Sequence, residues 1–354
     1  MMILHIIPDE KWTQDFIDKI NLLFDIKEHF FVVYTNKKVK YCNLENIERY
    51  PNIYVKMGKV FDNNDVCDII RKCDLVILHS LFFQVYDLMN ITKFKNMRII
   101  WFIWGGDLYD TYYAAHTFPF KPVNILREHY RKKIISKLIG AIAIEGDYQQ
   151  LCTWYHTNAK QLFAQYTYKL FDKSLYTISL RKRDKIRVMV GHSATRTCQH
   201  IDVFNILAKF AGKIEVVSPL AYPSDNNYIS KVIKAGRHIF GDNFVPITDY
   251  MNYDEYVAIL SDIDIAVFDN NRQQGNGNII SMLYLGKKVY VSPHNSLYSH
   301  YKKLGCVIFE FSDNIGNSFL DLLNSHEATI NENIIINQFC DKTFFNTWNN
   351  VFSL

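Results

Sequence analysis

The chain has 354 residues, of which 49% are apolar and 21% are charged. This composition excludes a disordered chain, a collagen-like repeat and a coiled coil, and the length suits about two domains. The net charge of +4 is too small for a dedicated nucleic-acid binder, which carries a basic stripe over most of a domain. Residues 1–170 hold the whole excess, with 22 basic and 18 acidic side chains, so we expect any anionic surface to meet the first half.

Seven cysteines are scattered along the chain, with no C-x-x-C pair and no Cys/His spacing typical of zinc sites. We therefore expect buried free thiols in a reducing compartment. Residues 1–8 lack the basic start and the longer apolar run of a signal peptide, and no run of 18 apolar residues occurs. The expectation is a protein that is soluble or lies on a membrane surface.

The first half alternates short apolar runs with amphipathic stretches, which predicts the strand–helix–strand repeat of a parallel sheet. The predicted strands are 3–7, 30–34, 75–78, 99–104 and 141–144, and the predicted helices are 12–24, 64–72 and 123–138. His5 lies within the first of these strands, and we expect it in the core. The mixed segment 171–186 then breaks the pattern, and its basic end favours a surface linker over a binding patch.

The same alternation of predicted strands and helices resumes after the linker. The predicted strands are 187–190, 214–217, 245–247, 263–268, 288–291 and 306–309, and the predicted helices are 198–211, 228–238, 253–261 and 278–285. The fold class is α/β, with two doubly wound, Rossmann-like domains (1–170 and 187–330) facing a central cleft. Residues 331–354 are predicted to be helical and to pack back toward the first domain. Because ligands bind beyond the carboxyl ends of strands in open parallel sheets, we expect the ligand in that cleft.

Three segments that follow strands of the second half are candidates for a phosphate or nucleotide site. Segment 191–195 offers a glycine, hydroxyls and free amides, although an ordinary capped turn explains it equally well. Segment 269–278 is rich in amides and glycine and leads into a helix, which favours ligand binding over a solvated loop. Segment 218–223 carries a tyrosine that could stack on a base, or it is a loop bracketed by prolines. The predicted substrate-binding residues here are Gly191, His192, Ser193, Tyr222, Arg272, Gln273, Gln274, Gly275, Gly277 and Asn278.

The segment 101–110 is the sharpest feature of the first half, since a buried strand runs into two glycines and then Asp107. A carboxylate at a strand end within an aromatic pocket can act as a general base, although it can equally cap the next turn. We also assign Trp104, Gly105 and Gly106 to the substrate site. His79 and Glu145, which follow other strands, are the second and third candidates for the base, with structural roles as their alternatives.

Residues 121–138 carry six basic side chains and one acidic side chain, with apolar residues at helical spacing. Aromatic residues at 112, 113, 118 and 120 precede this stretch. Such a basic amphipathic helix can lie on anionic lipid, or its apolar side can pack within the domain while its basic face is solvated. The positive charge surplus of the first half favours the first alternative, binding to anionic lipid.

Four segments resemble glycosyltransferase family 56 in order and spacing. They are Ile103 to Tyr109 (IWGGDLY), Val190 to Ser193 (VGHS), Ser218 to Pro223 (SPLAYP) and Arg272 to Gly277 (RQQGNG). The resemblance covers about residues 4–348. It implies a GT-B fold in which the C-terminal half binds the nucleotide-sugar and the N-terminal half takes a polyprenyl-diphosphate-linked acceptor at the cytoplasmic face of the bacterial inner membrane.

The family resemblance also implies the reaction. It implies transfer of a deoxyamino sugar, Fuc4NAc or a related acetamido-dideoxyhexose, from a dTDP-sugar during synthesis of a bacterial surface polysaccharide. It further implies that no metal or other cofactor is needed, which agrees with the absence of a D-x-D metal signature near the predicted site. Two other function classes stay open, namely a non-catalytic nucleotide-sugar-binding protein and a nucleotide-sugar epimerase of GT-B shape.

Overall fold

A computed structural model of the chain describes residues 1–35, 42, 50–61, 64–94, 96–173, 184–222 and 225–354. The chain forms two compact units: Met1–Tyr168 together with Asp341–Leu354, and Lys169–Cys340. Each unit is built around its own sheet. Most of the predicted linker, residues 174–183, and Pro223 of the segment 218–223 lie outside the described residues.

The first unit holds seven parallel strands in the order β3-β2-β1-β4-β5-β6-β7. In chain order they are β1 (Ile3–Pro8), β2 (His29–Thr35), β3 (Ile53–Met57), β4 (Leu75–His79), β5 (Ile99–Phe102), β6 (Leu138–Ile142) and β7 (Lys160–Leu162). Both faces of this sheet are covered, as is usual for parallel sheets. Leu4 and Ile6 of β1 therefore face one apolar cluster, while Ile3 and Ile7 face another.

Within the described residues, six α-helices lie between these strands. They are α1 (Thr13–Leu23), α2 (Asn64–Lys72), α3 (Val85–Ile91), α4 (Gly106–His116), α5 (Pro122–Ile135) and α6 (Glu145–Tyr155). The predicted helix 123–138 was too long, because Leu138 opens β6. Ile134, Ile135 and Leu138 keep a helical spacing across the junction, so the period alone could not place its end.

The helix α4 is absent from the sequence prediction. Its run of tyrosines has low intrinsic helix propensity. Tertiary packing supports it instead, since the ring of Tyr112 stacks on that of Trp154 with centroids 3.9 Å apart, and Tyr109 is buried.

The second unit holds six parallel strands in the order β10-β9-β8-β11-β12-β13. They are β8 (Ile186–Val190), β9 (Ile214–Pro219), β10 (Phe244–Ile247), β11 (Ile265–Phe268), β12 (Lys288–Val291) and β13 (Phe309–Glu310). Its helices are α7 (His200–Leu207), α8 (Asn226–Phe240), α9 (Tyr253–Ser261), α10 (Asn276–Tyr284), α11 (Ser296–Lys303) and α12 (Ser325–Gln338). The predicted α/β class with two parallel sheets is confirmed.

The C-terminal segment changes unit at Asp341, whereas the prediction placed the returning segment at 331–354. The helix α12 stays with the second unit because Asn331 is buried and exchanges two hydrogen bonds with the backbone of Val307, at 2.7 and 3.0 Å. The last helix, α13 (Asp341–Phe352), belongs to the first unit, where the Trp348 indole donates to the carbonyl of Gln165 at 2.8 Å.

Candidate functional site

The carboxyl edge of the second sheet has a topological switch point between β8 and β11. From β8 the chain moves outward through β9 and β10, and from β11 it moves the other way through β12 and β13. Open α/β sheets bind ligands at such a point, where neighbouring loops part to opposite faces. The loops that leave these two strands are the predicted segments 191–195 and 269–278.

Two glycines with positive φ bring these loops close to their neighbours. Gly191 has φ +72°, and a Cβ there would lie 2.5 Å from Nε2 of His200. Gly275 has φ +81° and immediately precedes α10, and a Cβ there would lie 3.2 Å from Nδ1 of His192. The loop after β8 and the start of α10 are therefore in contact, as the sequence predicted for segments that follow neighbouring strands.

The side chain of Gln274 connects the two loops. Its Oε1 accepts hydrogen bonds from the Thr197 hydroxyl at 2.6 Å and from the Asn270 amide at 3.3 Å. Its Nε2 donates to the hydroxyl oxygen of Thr195 at 3.3 Å. On the other side, the carbonyl of Gln274 accepts from the Asn295 amide at 3.2 Å. Gln274 thus fixes the backbone geometry ahead of α10.

A buried thiol lies beneath this network. Sγ of Cys198 is 3.2 Å from Oγ1 of Thr195, 3.4 Å from Nδ2 of Asn270 and 3.5 Å from Nδ1 of His192. Burial alone would raise the pKa of Cys198, but the charge and hydrogen bonding of His192, with the Thr195 hydroxyl, lower it to about 6. The centre of this edge is therefore polar, and the Cys198 thiol and the His192 ring interact electrostatically there.

The remaining predicted residues of the second unit lie around this centre. Arg272 is partly buried, and one of its terminal nitrogens donates to the carbonyl of Gln273 at 3.2 Å. Asn278 accepts a hydrogen bond from the Tyr256 hydroxyl at 2.7 Å. The carbonyl of Tyr222 accepts from the backbone N–H of Ala194 at 2.7 Å, so this loop joins the same edge. The Tyr222 ring itself is 75% exposed, which leaves its face available for stacking.

The other members of the predicted set are placed as follows. Ser193 is buried with its hydroxyl 3.2 Å from Nε2 of His192, Gln273 is partly exposed, and the carbonyl of Gly277 in the first turn of α10 accepts from Ser281.

Sequence reasoning missed four side chains of this edge, namely Thr197, Cys198, Gln199 and Asn270. Gln199 has a left-handed backbone conformation (φ +50°), and its amide donates to the carbonyl of Asp269 at 2.6 Å. The prediction placed a helix from residue 198, whereas α7 starts at His200. The signal was available, because five of the six residues from Thr195 to His200 are polar, which is unusual for the start of a buried helix.

The predicted catalytic residue Asp107 is completely buried in the first turn of α4. Its Oδ2 accepts from the Trp101 indole at 2.7 Å and the backbone N–H of Leu81 at 2.9 Å, and its Oδ1 accepts from the N–H of Trp104 at 2.9 Å. Burial raises the pKa of the Asp107 carboxyl, against the opposing effects of the Trp101 hydrogen bond and the Arg131 charge. The geometry is that of the capping alternative, so its role as a base stays a prediction.

The expectation that Arg131 contributes to a basic surface is wrong. Arg131 is completely buried, donates to Glu128 at 3.2 Å and to the carbonyl of Leu81 at 2.9 Å, and its guanidinium lies 5.3 Å from the ring centroid of Trp101. A charge in this position stabilises the junction of β4, β5 and α5 rather than binding lipid. The neighbouring Lys132 and Lys133 are exposed.

His79, the second candidate base, lies in a chain of three buried histidines. Nδ1 of His5 is 3.0 Å from Nε2 of His79, and Nε2 of His5 is 3.1 Å from Nδ1 of His29. Burial lowers the pKa of His79 to about 3 and that of His29 to about 4, so these rings are neutral at pH 7. His5 is in the core, as predicted, and His79 has the environment of a structural residue.

Glu145 and Trp104 are accessible, in contrast to Asp107. Glu145 is exposed at the first position of α6, where it accepts from the Gln149 amide at 3.3 Å. Trp104 is partly exposed, and its ring packs edge-on against that of Trp12 with centroids 5.8 Å apart. Gly105 is buried, and Gly106 lies beside the ring of Phe82.

A corner of the first unit, where α4 meets α5, exposes large apolar side chains. They are Tyr113, Phe118, Phe120, Val123, Ile125 and Leu126, and we call them the aromatic corner. Phe118 is 81% exposed, and the exposed Lys121 lies within the same stretch. The apolar residues of the predicted amphipathic helix are therefore divided: those near its start are exposed in the aromatic corner, whereas Ile134 and Ile135 are buried in the core.

The expected partners of the chain exclude a metal ion and include a membrane surface. Within the ranges that the structure describes, no three His, Cys, Asp or Glu side chains are grouped so as to hold a metal ion. Metal independence stays a prediction. None of the helices in the described part of the chain has both the length and the apolar character that crossing a bilayer requires.

The sequence matches one family model, described as 4-alpha-L-fucosyltransferase glycosyl transferase group 56, over residues 12–354.

Solved structures share the fold at low sequence identity. The Anabaena protein Alr3699/HepE in complex with UDP superposes with a TM-score of 0.67 at 12% identity, covering 100% of both chains. A glycosyltransferase from Rickettsia africae gives 0.67 at 12% identity, covering 99% of this chain and 97% of that one. WaaG, a glycosyltransferase involved in lipopolysaccharide biosynthesis, gives 0.61 at 9% identity, covering 99% and 98%. The two α/β units thus have the GT-B fold.

Proposed function

Since the chain belongs to glycosyltransferase group 56 and is therefore a glycosyltransferase of the hexosyltransferase type, we propose that it transfers an acetamido-dideoxyhexose such as Fuc4NAc from a dTDP-sugar to a polyprenyl-diphosphate-linked glycan. The site of this reaction is the cytoplasmic face of a bacterial inner membrane, where the protein is peripheral. The choice of sugar, nucleotide and acceptor follows the family resemblance of the four sequence segments. The choice of donor site follows the geometry of the second unit.

The observation that carries the donor site is the convergence of two loops at the β8/β11 switch point. The first turn of α10 begins at Asn276, directly after Gly275, and its backbone N–H groups and dipole favour a negatively charged diphosphate. Arg272 stands in the same loop and can add a bidentate contact. Tyr222, whose ring is exposed, can stack on the thymine base. The complexes of HepE with UDP, a protein that has the same fold, are in accord with a nucleotide donor.

The chemistry requires the bond between sugar C1 and the diphosphate oxygen to break as the acceptor oxygen bonds to C1. Negative charge then grows on the leaving diphosphate. The start of α10 and Arg272 supply fixed positive potential at that position, and Gln274 holds the loop that carries them. With these groups in place, no metal ion is needed to offset the negative charge on the leaving diphosphate.

The aromatic corner supports a membrane-bound acceptor. Exposed aromatic and aliphatic side chains next to lysines are typical of segments that insert at the lipid interface and are attracted by anionic lipid. The relevant cations are Lys121, Lys132 and Lys133, which are exposed, and do not include the buried Arg131.

The membrane part is tested with vesicles that contain anionic phospholipid. Phe118→Ser with Phe120→Ser should lower vesicle binding and turnover of a lipid-linked acceptor, while turnover of a short soluble acceptor changes little. Leu22→Ser, at a residue that is 75% exposed elsewhere in the same unit, is the matched control and should bind vesicles normally. Equal loss of turnover on both acceptors would assign the corner to the active site or to folding.

The reaction is tested with a panel of dTDP-, UDP- and GDP-activated sugars, a polyprenyl-diphosphate glycan and mass spectrometry of the products. We expect the acceptor to gain one acetamido-dideoxyhexose from the dTDP donor. Donor binding without any product would indicate the non-catalytic binder. Conversion of the sugar nucleotide without acceptor would indicate the epimerase.

A further inference from the structure

A thiol and an imidazole lie side by side at the carboxyl edge of the second sheet. Nδ1 of His192 is 3.5 Å from Sγ of Cys198, and Nε2 of the same ring is 3.2 Å from the hydroxyl of Ser193. Both side chains of the pair come from the loop between β8 and α7. Cys198 is completely buried, whereas His192 is partly exposed. The proposed function gives the thiol no role.

The groups around the sulfur of Cys198 are hydrogen-bond donors. The amide of Asn270 also faces the carbonyl of Thr197 at 3.4 Å and Oε1 of Gln274 at 3.3 Å. Because both of those oxygens only accept, the Asn270 amide presents its N–H2 group on this side, 3.4 Å from Sγ. The hydroxyl of Thr195 accepts from Nε2 of Gln274 at 3.3 Å, so its own proton can be donated to Sγ at 3.2 Å. Such surroundings stabilise a thiolate.

The imidazole of His192 is placed to take the thiol proton. When the proton moves from Sγ to Nδ1, the sulfur becomes an anion that accepts hydrogen bonds from Thr195, Asn270 and the new Nδ1–H group. The ring becomes a cation whose Nε2–H group donates to the Ser193 hydroxyl. Burial alone would raise the pKa of the Cys198 thiol, but the charge and hydrogen bonding of His192 lower it to about 6. This direction agrees with an ion pair at neutral pH.

The other titratable groups near the pair lie in α7, in α8 and in the neighbouring loops. Nδ1 of His200 is 3.1 Å from the hydroxyl of Tyr228. Burial and the charge of His192 lower the pKa of His200 to about 3, and burial raises that of Tyr228 to about 12, so both are neutral at pH 7. Arg196 is paired with Asp225 at 3.1 Å on the surface. The remaining charged side chains are Asp202 of α7, with Asp269 and Arg272 of the loop after β11.

The imidazole lies against the start of α10. A Cβ at Gly275 would lie 3.2 Å from Nδ1 of His192, and α10 begins at the next residue, Asn276. The first N–H groups of that helix form the proposed diphosphate site. Since the thiolate is buried and the imidazolium is partly exposed, a diphosphate can approach the positive end of the pair. An isolated imidazole loses its charge above about pH 6.5, so the buried thiolate keeps a cation where an ordinary histidine would be neutral.

We propose that Cys198 and His192 form a thiolate–imidazolium pair and that the imidazolium adds to the positive potential that binds the diphosphate of the donor. The inference rests on the proposed function and deepens its donor site. Cys198 is a positioning residue, because it acts on the donor only through the charge of His192. The proton that the imidazolium carries is the one that leaves Sγ, so the pair forms without any other reactant.

The test measures dTDP affinity by isothermal titration calorimetry at pH 5.5 and at pH 8. Cys198→Ser places a hydroxyl that does not ionise beside His192, which should then be neutral at pH 8. We expect its affinity to be about three- to tenfold below wild type at pH 8 and close to wild type at pH 5.5. His192→Asn removes the cation and should weaken binding at both pH values. Cys306→Ser, at a buried thiol of the same unit whose pKa burial raises to about 12, is the matched control and should bind as wild type does.

A second measurement follows the thiolate itself through its ultraviolet absorbance. Titration of the wild type from pH 4 to pH 7 should show the absorbance of a thiolate appearing near pH 6. This step should be missing in Cys198→Ser and present in Cys306→Ser. Because the wild-type protein carries this readout, it tests the ion pair even where a variant folds poorly.

Three results would overturn the inference. Cys198→Ser could bind dTDP at pH 8 as tightly as wild type does. The same variant could lose affinity equally at both pH values, which would make Cys198 structural. The wild type could show no thiolate up to pH 7, which would mean that the pair is neutral. Wild-type protein that binds no dTDP at either pH would overturn the proposed donor site as well, whereas the first three results leave the proposed function standing.

Discussion

Two strand ends that look alike in sequence behave in opposite ways. In the first unit, residues 103–107 bring two glycines and Asp107 directly after β5, and the carboxylate turns inward with no exposed surface. In the second unit, residues 269–277 bring amides, Arg272 and two glycines after β11, and most of these side chains stay partly exposed. One segment closes the junction of two strands and a helix, while the other leaves a polar surface at a helix start.

The difference lies in the order of glycine and polar residue. Asp107 comes after its glycines, within the first turn of α4, from where it reaches back to the N–H of Trp104 and of Leu81. Arg272 and Gln274 come before Gly275, so they precede the helix and line the loop. A polar residue after a predicted strand therefore indicates the carboxyl edge of the sheet. Whether that residue comes before or after the glycine of the turn decides whether its side chain lines the loop or caps the helix.

The largest expected effect concerns the first region. Arg131→Ala should lower the free energy of unfolding by about 3–5 kcal/mol, because it leaves Glu128 buried without its partner. Urea denaturation would measure it. Lys132→Ala, at an exposed neighbour, is the control and should stay within about 0.5 kcal/mol of wild type. A similarly small loss of unfolding free energy in both variants would mean that the surroundings of Arg131 and Glu128 are solvated.

The buried histidines of the first unit predict acid sensitivity. His29 has an ordinary pKa of 6.5 when unfolded and a pKa lowered by burial to about 4 when folded. The unfolded chain then binds more protons between these values. The contribution of the neutral His29 ring to the free energy of unfolding, up to about 3 kcal/mol, is complete above pH 6.5 and is lost as the pH falls toward 4.

Unfolding by urea between pH 4 and pH 7 would show this dependence. His29→Gln should flatten the pH profile of the unfolding free energy, and His129→Gln, at an exposed histidine, should leave its slope unchanged. An unchanged slope in His29→Gln would contradict the neutral state of the buried ring.

The second region should respond through binding. Arg272→Ala should weaken dTDP affinity by roughly 1.5–3 kcal/mol, the usual range for a hydrogen bond to a charged group, with little change in folding. Isothermal titration calorimetry would measure the affinity. Equal affinity in wild type and variant would remove Arg272 from the donor site.

The smallest effect separates the two roles of a strand-end carboxylate. Asp107→Asn keeps the shape but sets an amide N–H2 against N–H donors, so it should cost about 1–3 kcal/mol of stability. We expect turnover to fall only in proportion to the folded fraction. A fall in turnover of 10²-fold or more in fully folded protein would show that Asp107 is the base.

Hydrophobic period and chain order predicted all six strands of the second sheet and five of the seven strands of the first, and they missed its outermost strands β3 and β7. Strands such as β4, β8 and β12 are short apolar runs bounded by polar residues, so their ends fall within a residue or two of the prediction. The helix α4 was missed because contacts with Trp154, 42 residues away from Tyr112, support it. Local propensity carries no trace of such a contact.

The site was predictable to the level of loops. Segments 191–195 and 269–278 meet as expected because the carboxyl ends of neighbouring strands meet. The burial of Asp107 was not predictable, since one of its donors, Leu81, is 26 residues away in the chain. The thiol of Cys198 was missed because its partners His192 and Asn270 come from two different loops.

The contrast between the two strand ends can be tested in a single experiment, hydrogen exchange followed by mass spectrometry with and without saturating dTDP. We expect dTDP to slow exchange in residues 191–198 and 269–278 and to leave exchange in residues 103–107 unchanged. Protection confined to the first unit, or no protection in either loop of the second unit, would contradict the assignment of the donor site to the β8/β11 edge.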